Sequence, residues 1–306
     1  MATSFDPRTT WFGWGRTLLA LAHVLTLALT GPAYLMPPVI GEGRVPQCGG
    51  IRAVSAYCLG GAEIGQEWRR WFMVALLLVV ASGYRPRWTV LPHAWIAFSI
   101  GVSISLPDGG EAIARIICLL IIPLGLIDDR RWHWQAATTR LRPVPQGIAF
   151  AAFLGVRIQL AALYLQSGIS KFGVPDWLNG SAEYYILRNP LFGVAGPLKP
   201  LLLWMSNSPV IVAGMTWGAI VIEVVIAVFL LSSARWRRIA FLLDIALHAG
   251  IIATMGLWSF SLIMIGSAAI AALPDAPPAP AQLPAEPALE TPAQVTPRET
   301  QLSPAT

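Results

Sequence analysis

Charge is what this sequence has least of. Asp, Glu, Lys and Arg make up 12% of its 306 residues, against roughly 25% in an average soluble chain. So few charges cannot cover a soluble surface. Lysine is nearly absent: apart from Lys171 and Lys199, arginine supplies the positive charge. The net charge is only +5, and the arginines sit between apolar runs, so nucleic acid is not an expected partner. No Walker loop, dinucleotide fingerprint, zinc-protease helix or solenoid repeat is present. No metal site is expected.

What remains is apolar. Hydrophobic residues are 55% of the chain, in continuous rather than alternating runs, which means helices and not a barrel. The expected fold is an all-α, polytopic membrane helix bundle in the lipid bilayer. Candidate spans are Thr17–Met36, Trp71–Gly83 (short, borrowing from Ile64–Arg70), Trp88–Leu106, Gly109–Ile127, Gly147–Ser170 and Pro209–Ser232. Ile239–Leu273 would be about 52 Å long as one helix. It reads as two spans broken near Gly256, which makes seven or eight transmembrane helices. The first run ends in Leu35-Met36-Pro37-Pro38, unlike a cleavage site, and is expected to stay as an anchor.

Placing the N-terminus in the cytoplasm puts Arg85, Arg87, Arg130, Arg131, Arg140, Arg142, Arg235, Arg237 and Arg238 in cytoplasmic loops. The positive-inside rule favours that orientation. Arg69 and Arg70 then fall awkwardly at the outer end of the second span. Residues 1–273 form the membrane domain. Residues 274–306 are rich in Pro, Ala, Glu, Thr and Gln, with no aromatic, and are expected to be a disordered tail.

Ionisable residues inside a membrane are expensive, and each is a candidate site. Arg157 and Glu223 could be a structural ion pair between spans or a functional one. Glu111 and Arg115, four apart, could satisfy each other. Asp244 and His248 share a helical face, as proton transfer or a plain interhelical hydrogen bond would require. His23 and His93 read as packing histidines and His133 as interfacial. Cys118 reads as core, whereas Cys48 and Cys58 share an outer loop and could form a disulfide. Lys171 ends the fifth span. It could act as a base, which arginine cannot, or simply snorkel to the interface.

The run Arg157-Ile-Gln … Tyr164-Leu-Gln-Ser-Gly-Ile-Ser-Lys171 … Trp177-Leu-Asn-Gly180 … Tyr184-Tyr185, with His248 … Gly256-Leu-Trp-Ser-Phe-Ser-Leu-Ile-Met264, resembles the horizontally transferred transmembrane domain shared with membrane-embedded vitamin K-dependent gamma-carboxylases. Four further stretches are similar to the bacterial sporulation-delaying protein B family. They are Ser82-Gly-Tyr-Arg-Pro-Arg-Trp, Asp108-Gly-Gly-Glu111, Asp128-Asp-Arg-Arg-Trp-His-Trp and Thr216-Trp-Gly-Ala-Ile-Val-Ile-Glu223. Together the matches cover roughly residues 10–273.

The resemblance implies a cell-membrane maturation factor for a secreted antimicrobial peptide, working on a peptide precursor with a second maturation protein. The carboxylase lysine that matches Lys171 deprotonates a vitamin K hydroquinone, so a quinone cofactor is implied as well. The chain lacks the carboxylases' large lumenal domain. It has Asp108-Gly-Gly-Glu111 where they place a catalytic histidine, so carboxylation of glutamate is not expected. The expected catalytic set is Lys171, His248, Asp244 and Glu111. Asp108, Trp177, Tyr184 and Tyr185 are the expected substrate contacts, under a lid running from Trp177 to Asn207. The alternatives are a non-catalytic scaffold or immunity-like partner of the peptide, and a quinone-linked carboxylase-like enzyme.

Overall fold

A computed structural model describes residues 5–38, 41, 46–60, 65–105 and 109–272. Asp108 and the tail from 274 to 306 lie outside the described residues. Among the described residues every regular element is helical, apart from one isolated bridge between Tyr84 and Trp132. The helices are α1 (Thr10–Leu29), α2 (Pro32–Leu35), α3 (Gln66–Ser82), α4 (Pro86–Ser103), α5 (Gly109–Leu120), α6 (Ile122–Leu126), α7 (Pro143–Lys171), α8 (Pro175–Leu178), α9 (Ala182–Leu187), α10 (Lys199–Met205), α11 (Pro209–Leu230), α12 (Ala234–Met255) and α13 (Trp258–Ala271). Four of them, α1, α7, α11 and α12, are long and apolar enough to cross a membrane.

Local chemistry sets the ends. Thr9 caps α1, its hydroxyl accepting from the Phe12 amide at 3.2 Å. The helix therefore starts earlier than the Thr17–Met36 run suggested, and it stops before Gly31-Pro32, where proline begins α2. The expected Gly109–Ile127 span is divided at Ile121, because Pro123 cannot continue a hydrogen-bonded helix. Gly83 ends α3 with φ 84° and Gly256 ends α12 with φ 69°, the left-handed cap that glycine adopts freely. Hence Ile239–Leu273 is two helices.

The tightest crossing joins α1 to α13. A Cβ on Gly15 would lie 2.7 Å from the Gly266 carbonyl oxygen, and one on Gly266 would lie 2.8 Å from that of Gly15. Small residues let apolar helices approach this closely where burial from water supplies no drive. One core lies among α1, α5, α7, α11 and α13, around Phe153, Leu160, Ile117 and Ile263. A second joins α1, α3 and α4, and the buried Tyr57 plugs into it from the loop above.

The arginine-rich loops gather at one end. The Arg85 amide donates to the Arg131 carbonyl at 2.8 Å and the His133 amide to the Gly83 carbonyl at 2.9 Å. Arg8 of the N-terminal segment reaches Asp129 at 2.9 Å, and Trp11 packs edge-on against Phe241 of α12. Asp128 and Arg130 form a buried ion pair at 2.7 Å. His133 is buried in this layer, where Gly13 and Gly83 leave room for its ring. Burial, then Arg16 and Arg130, push its imidazole down to about 3.

At the opposite end Cys48 and Cys58 are joined by a disulfide. Arg69 donates to the carbonyls of Tyr57 and Leu59 in that loop. Arg70 pairs with Glu67 at 2.8 Å and donates to the Leu27 carbonyl at 3.1 Å. Of the two arginines at the outer end of the second span, Arg69 thus holds the loop backbone and Arg70 the backbone near the end of α1.

Candidate functional site

The far end of α7 carries the first cluster. Tyr164, Ser167, Gly168 and Lys171 recur at helical spacing and share one face. At Gly168 a Cβ would stand 3.1 Å from Val224 Cγ2 and 3.7 Å from the Ile220 carbonyl oxygen. Its absence lets α11 come close enough for Glu223 to reach Lys171. Lys171 Nζ donates to both Glu223 carboxylate oxygens, at 2.6 and 2.8 Å, and to Ser167 Oγ at 2.9 Å. The Ser167 hydroxyl donates to Glu223 at 3.1 Å. Both charged side chains are mostly buried, 15% and 12% exposed. The Trp177 ring lies 5.0 Å from Nζ, within cation–π range.

This pairing corrects the Arg157–Glu223 alternative. Arg157 lies 14 residues before Lys171, about 21 Å along the helix. Its Nε donates to the Ala271 carbonyl at 3.3 Å, and its guanidinium stacks over Phe153 at 4.3 Å. The head of Lys171 is turned onto Glu223 and Ser167.

Two turns below, Tyr164 donates its hydroxyl to the Asp244 carboxylate. His248 Nδ1 stands 3.4 Å from the same carboxylate oxygen and 3.0 Å from the Asp244 carbonyl. All three residues are buried. With oxygens on its Nδ1 side, a neutral His248 carries its proton there and keeps the lone pair on Nε2. The Phe260 ring faces His248 at 5.5 Å and lies 3.8 Å from where a Gly109 Cβ would be.

Across Phe260 is a third cluster. Glu111 does not stand alone with Arg115: its carboxylate is 3.3 Å from His23 Nε2 and 3.3 Å from Thr26 Oγ1. Thr26 meets Ser259 Oγ at 2.6 Å. Arg115 instead runs along Gly101 of α4.

The segment from Trp177 to Asn207 folds into α8, α9 and α10 beside α11. Trp217 Nε1 donates to the Trp177 carbonyl at 3.2 Å, and the Glu183 amide to Thr216 Oγ1 at 3.2 Å. Tyr184 stacks under Arg188 at 3.7 Å, and both Tyr184 and Tyr185 are exposed. Burial raises the Glu183 carboxyl above the usual carboxylate range, while the charge of Lys171 acts to lower it. Helical spacing from Lys171 is the signal by which Tyr164, Ser167 and Gly168, missed as site residues in the sequence, could have been found. Nothing local marks His23 or Glu183.

No family model matches the chain, and no solved structure does. Two curated proteins of Bacillus subtilis strain 168 are similar over most of their length. One, named uncharacterized protein YitO, is 32% identical over 269 residues, 86% of this chain and 86% of its own. The other, named sporulation-delaying protein SdpB, is 30% identical over 266 residues, 86% of this chain and 81% of its own. Identity at this level across nearly the whole membrane body means that the chain belongs to the sporulation-delaying protein B family.

Proposed function

We propose that this chain is a multi-pass bacterial cell-membrane protein that matures a secreted antimicrobial peptide, with the Lys171–Glu223 pair as its working centre on the outer face. The reading takes α1, α3, α4, α5 with α6, α7, α11, α12 and α13 as eight crossings and keeps the N-terminus in the cytoplasm. The clustering of Arg85, Arg131 and Arg130 with the N-terminal segment at one end supports this orientation. Lys171, Glu111 and Ser259 then lie toward the outside.

The observation that carries the proposal is the inward turn of Lys171. In a chain with two lysines, this one is turned onto Glu223 and Ser167, with the Trp177 ring 5.0 Å from its Nζ. A proton can pass between an amine and a carboxylate at 2.6 Å, so the pair can serve a substrate as base and then acid. Glu183, Tyr184, Tyr185 and Trp177 line the approach for a precursor peptide delivered with its second maturation protein. The wider resemblance also brings in a quinone. Trp177 offers it an aromatic face and the pair a proton acceptor, so the residues fit, and organic extraction of the purified protein tests for it.

A non-catalytic scaffold is the second reading, favoured by the fact that the same pair ties α7 to α11. Mass spectrometry of peptides secreted by a deletion strain, complemented with wild type or Lys171→Ala at matched membrane abundance, separates the two. The proposal expects the mature peptide only with wild type. Recovery with Lys171→Ala gives the scaffold reading the field.

A further inference from the structure

We propose that His23 and Glu111 form a second intramembrane acid–base site, which takes up and releases one proton from the outer end of the bundle. It is separate from the Lys171 centre and does not depend on the peptide reading. Its geometry is on α1 and α5: His23 Nε2 and a Glu111 carboxylate oxygen stand 3.3 Å apart, with His23 wholly buried and Glu111 nearly so.

A bare carboxylate in a low-dielectric interior is strongly disfavoured. An imidazole beside it can hold the compensating proton, or the carboxyl can keep it, and the pair then carries no net charge. Loss of that proton leaves a neutral imidazole and a carboxylate; its return restores the neutral pair. Nothing else is made or broken. Among the described residues, the ring nitrogens of His23 have no hydrogen-bond partner of proper geometry, nor does the buried Tyr57 hydroxyl. Polar atoms from α1 and the disulfide-closed loop thus enter the same outer half of the bundle with hydrogen-bonding capacity to spare.

The surroundings give the site a direction. Toward the outer end, Glu111 meets Thr26, and Thr26 meets Ser259 at 2.6 Å, on the first turn of α13 after the Gly256 break. These hydroxyls can relay a proton. From α3, Arg70 lies above α1, neutralised by Glu67. From α4, the His93 ring stands edge-on to His23 at 6.2 Å, with its Nε2 3.7 Å from Cys118 Sγ of α5. Arg115 projects from α5 along Gly101. Toward the arginine-rich end lies Arg16, wholly buried and bonded to Thr89 at 2.7 Å. A fixed buried cation repels a proton moving that way. The site therefore opens outward and is sealed inward.

The test is infrared difference spectroscopy of the full chain in lipid nanodiscs, titrated with pH, for wild type, Glu111→Gln, His23→Asn and Glu223→Gln. The proposal expects a carboxyl-stretch titration that is lost in Glu111→Gln, moved by at least one pH unit in His23→Asn (tenfold in proton affinity) and kept in Glu223→Gln. A titration unaltered in His23→Asn, or no signal sensitive to residue 111, overturns it. If Glu111→Gln does not reach the membrane, His23→Asn decides alone. Loss of peptide maturation in Lys171 variants leaves this result untouched, so the two proposals fail separately.

Discussion

Lys171 and Glu223 meet at 2.6 Å across α7 and α11, at the level where Gly168 lets the two helices close. Each holds a charge that would otherwise sit nearly unsolvated in the bundle. Removing one partner of a buried pair costs about 3–5 kcal/mol; slight exposure puts this pair toward the low end. Lys171→Ala and Glu223→Ala alone should each lower the thermal midpoint in detergent. The double variant should recover most of that loss without recovering activity. A double variant as unstable as the sum of the singles would show that the two residues do not act as a pair.

Gly15 and Gly266 touch backbone to backbone. A methyl at either position meets a carbonyl oxygen that cannot turn aside. Gly15→Ala and Gly266→Ala should therefore each destabilise by about 1–3 kcal/mol, the range for overpacking. Gly214→Ala, where a Cβ meets nothing within 4 Å, is the control and should be neutral or slightly stabilising. Melting curves of the three variants check this.

Tyr164 donates to a buried aspartate that also faces His248. Tyr164→Phe keeps the ring but leaves Asp244 short of a donor, a loss of about 1–3 kcal/mol. Membrane abundance should fall, and Asp244→Asn in the same background should restore part of it. No change in Tyr164→Phe would mean that this hydrogen bond contributes nothing.

His133 is held neutral down to about pH 3 in the folded chain, against roughly 6.5 for a free imidazole. Between those values the unfolded chain binds a proton that the folded one does not. Stability contributed by His133 is therefore full above about pH 6.5 and is lost as pH falls toward 3. Thermal melts at pH 7 and pH 5 should show a drop for wild type and a smaller one for His133→Gln. Equal drops would contradict this assignment.

Much of the helical organisation is legible before any coordinates. Low charge and continuous apolar runs specify membrane helices, and an over-long run with Gly256 inside it specifies a break. Asp244 and His248 share a face by spacing alone. What spacing cannot supply is the partner on another helix. The sequence offered Arg157 as the partner of Glu223, whereas the close approach at Gly168 brings Lys171 to it. His23 carries no local sign of its partner, because Glu111 lies 88 residues away and the packing of both α1 and α5 on α13 brings them together. The burial of His133 has no local sign either, because two glycines distant in sequence make room for its ring.

The most direct measurement follows the secreted peptides of the producing strain by mass spectrometry, with the gene deleted and then restored as wild type or as Lys171→Arg at equal membrane abundance. Arginine can keep the ion pair with Glu223 but cannot release its proton. The account predicts that wild type restores the mature peptide and Lys171→Arg does not, while the protein itself stays folded and abundant. A mature peptide of unchanged mass and yield from the Lys171→Arg strain would contradict it, leaving the pair as a brace between α7 and α11.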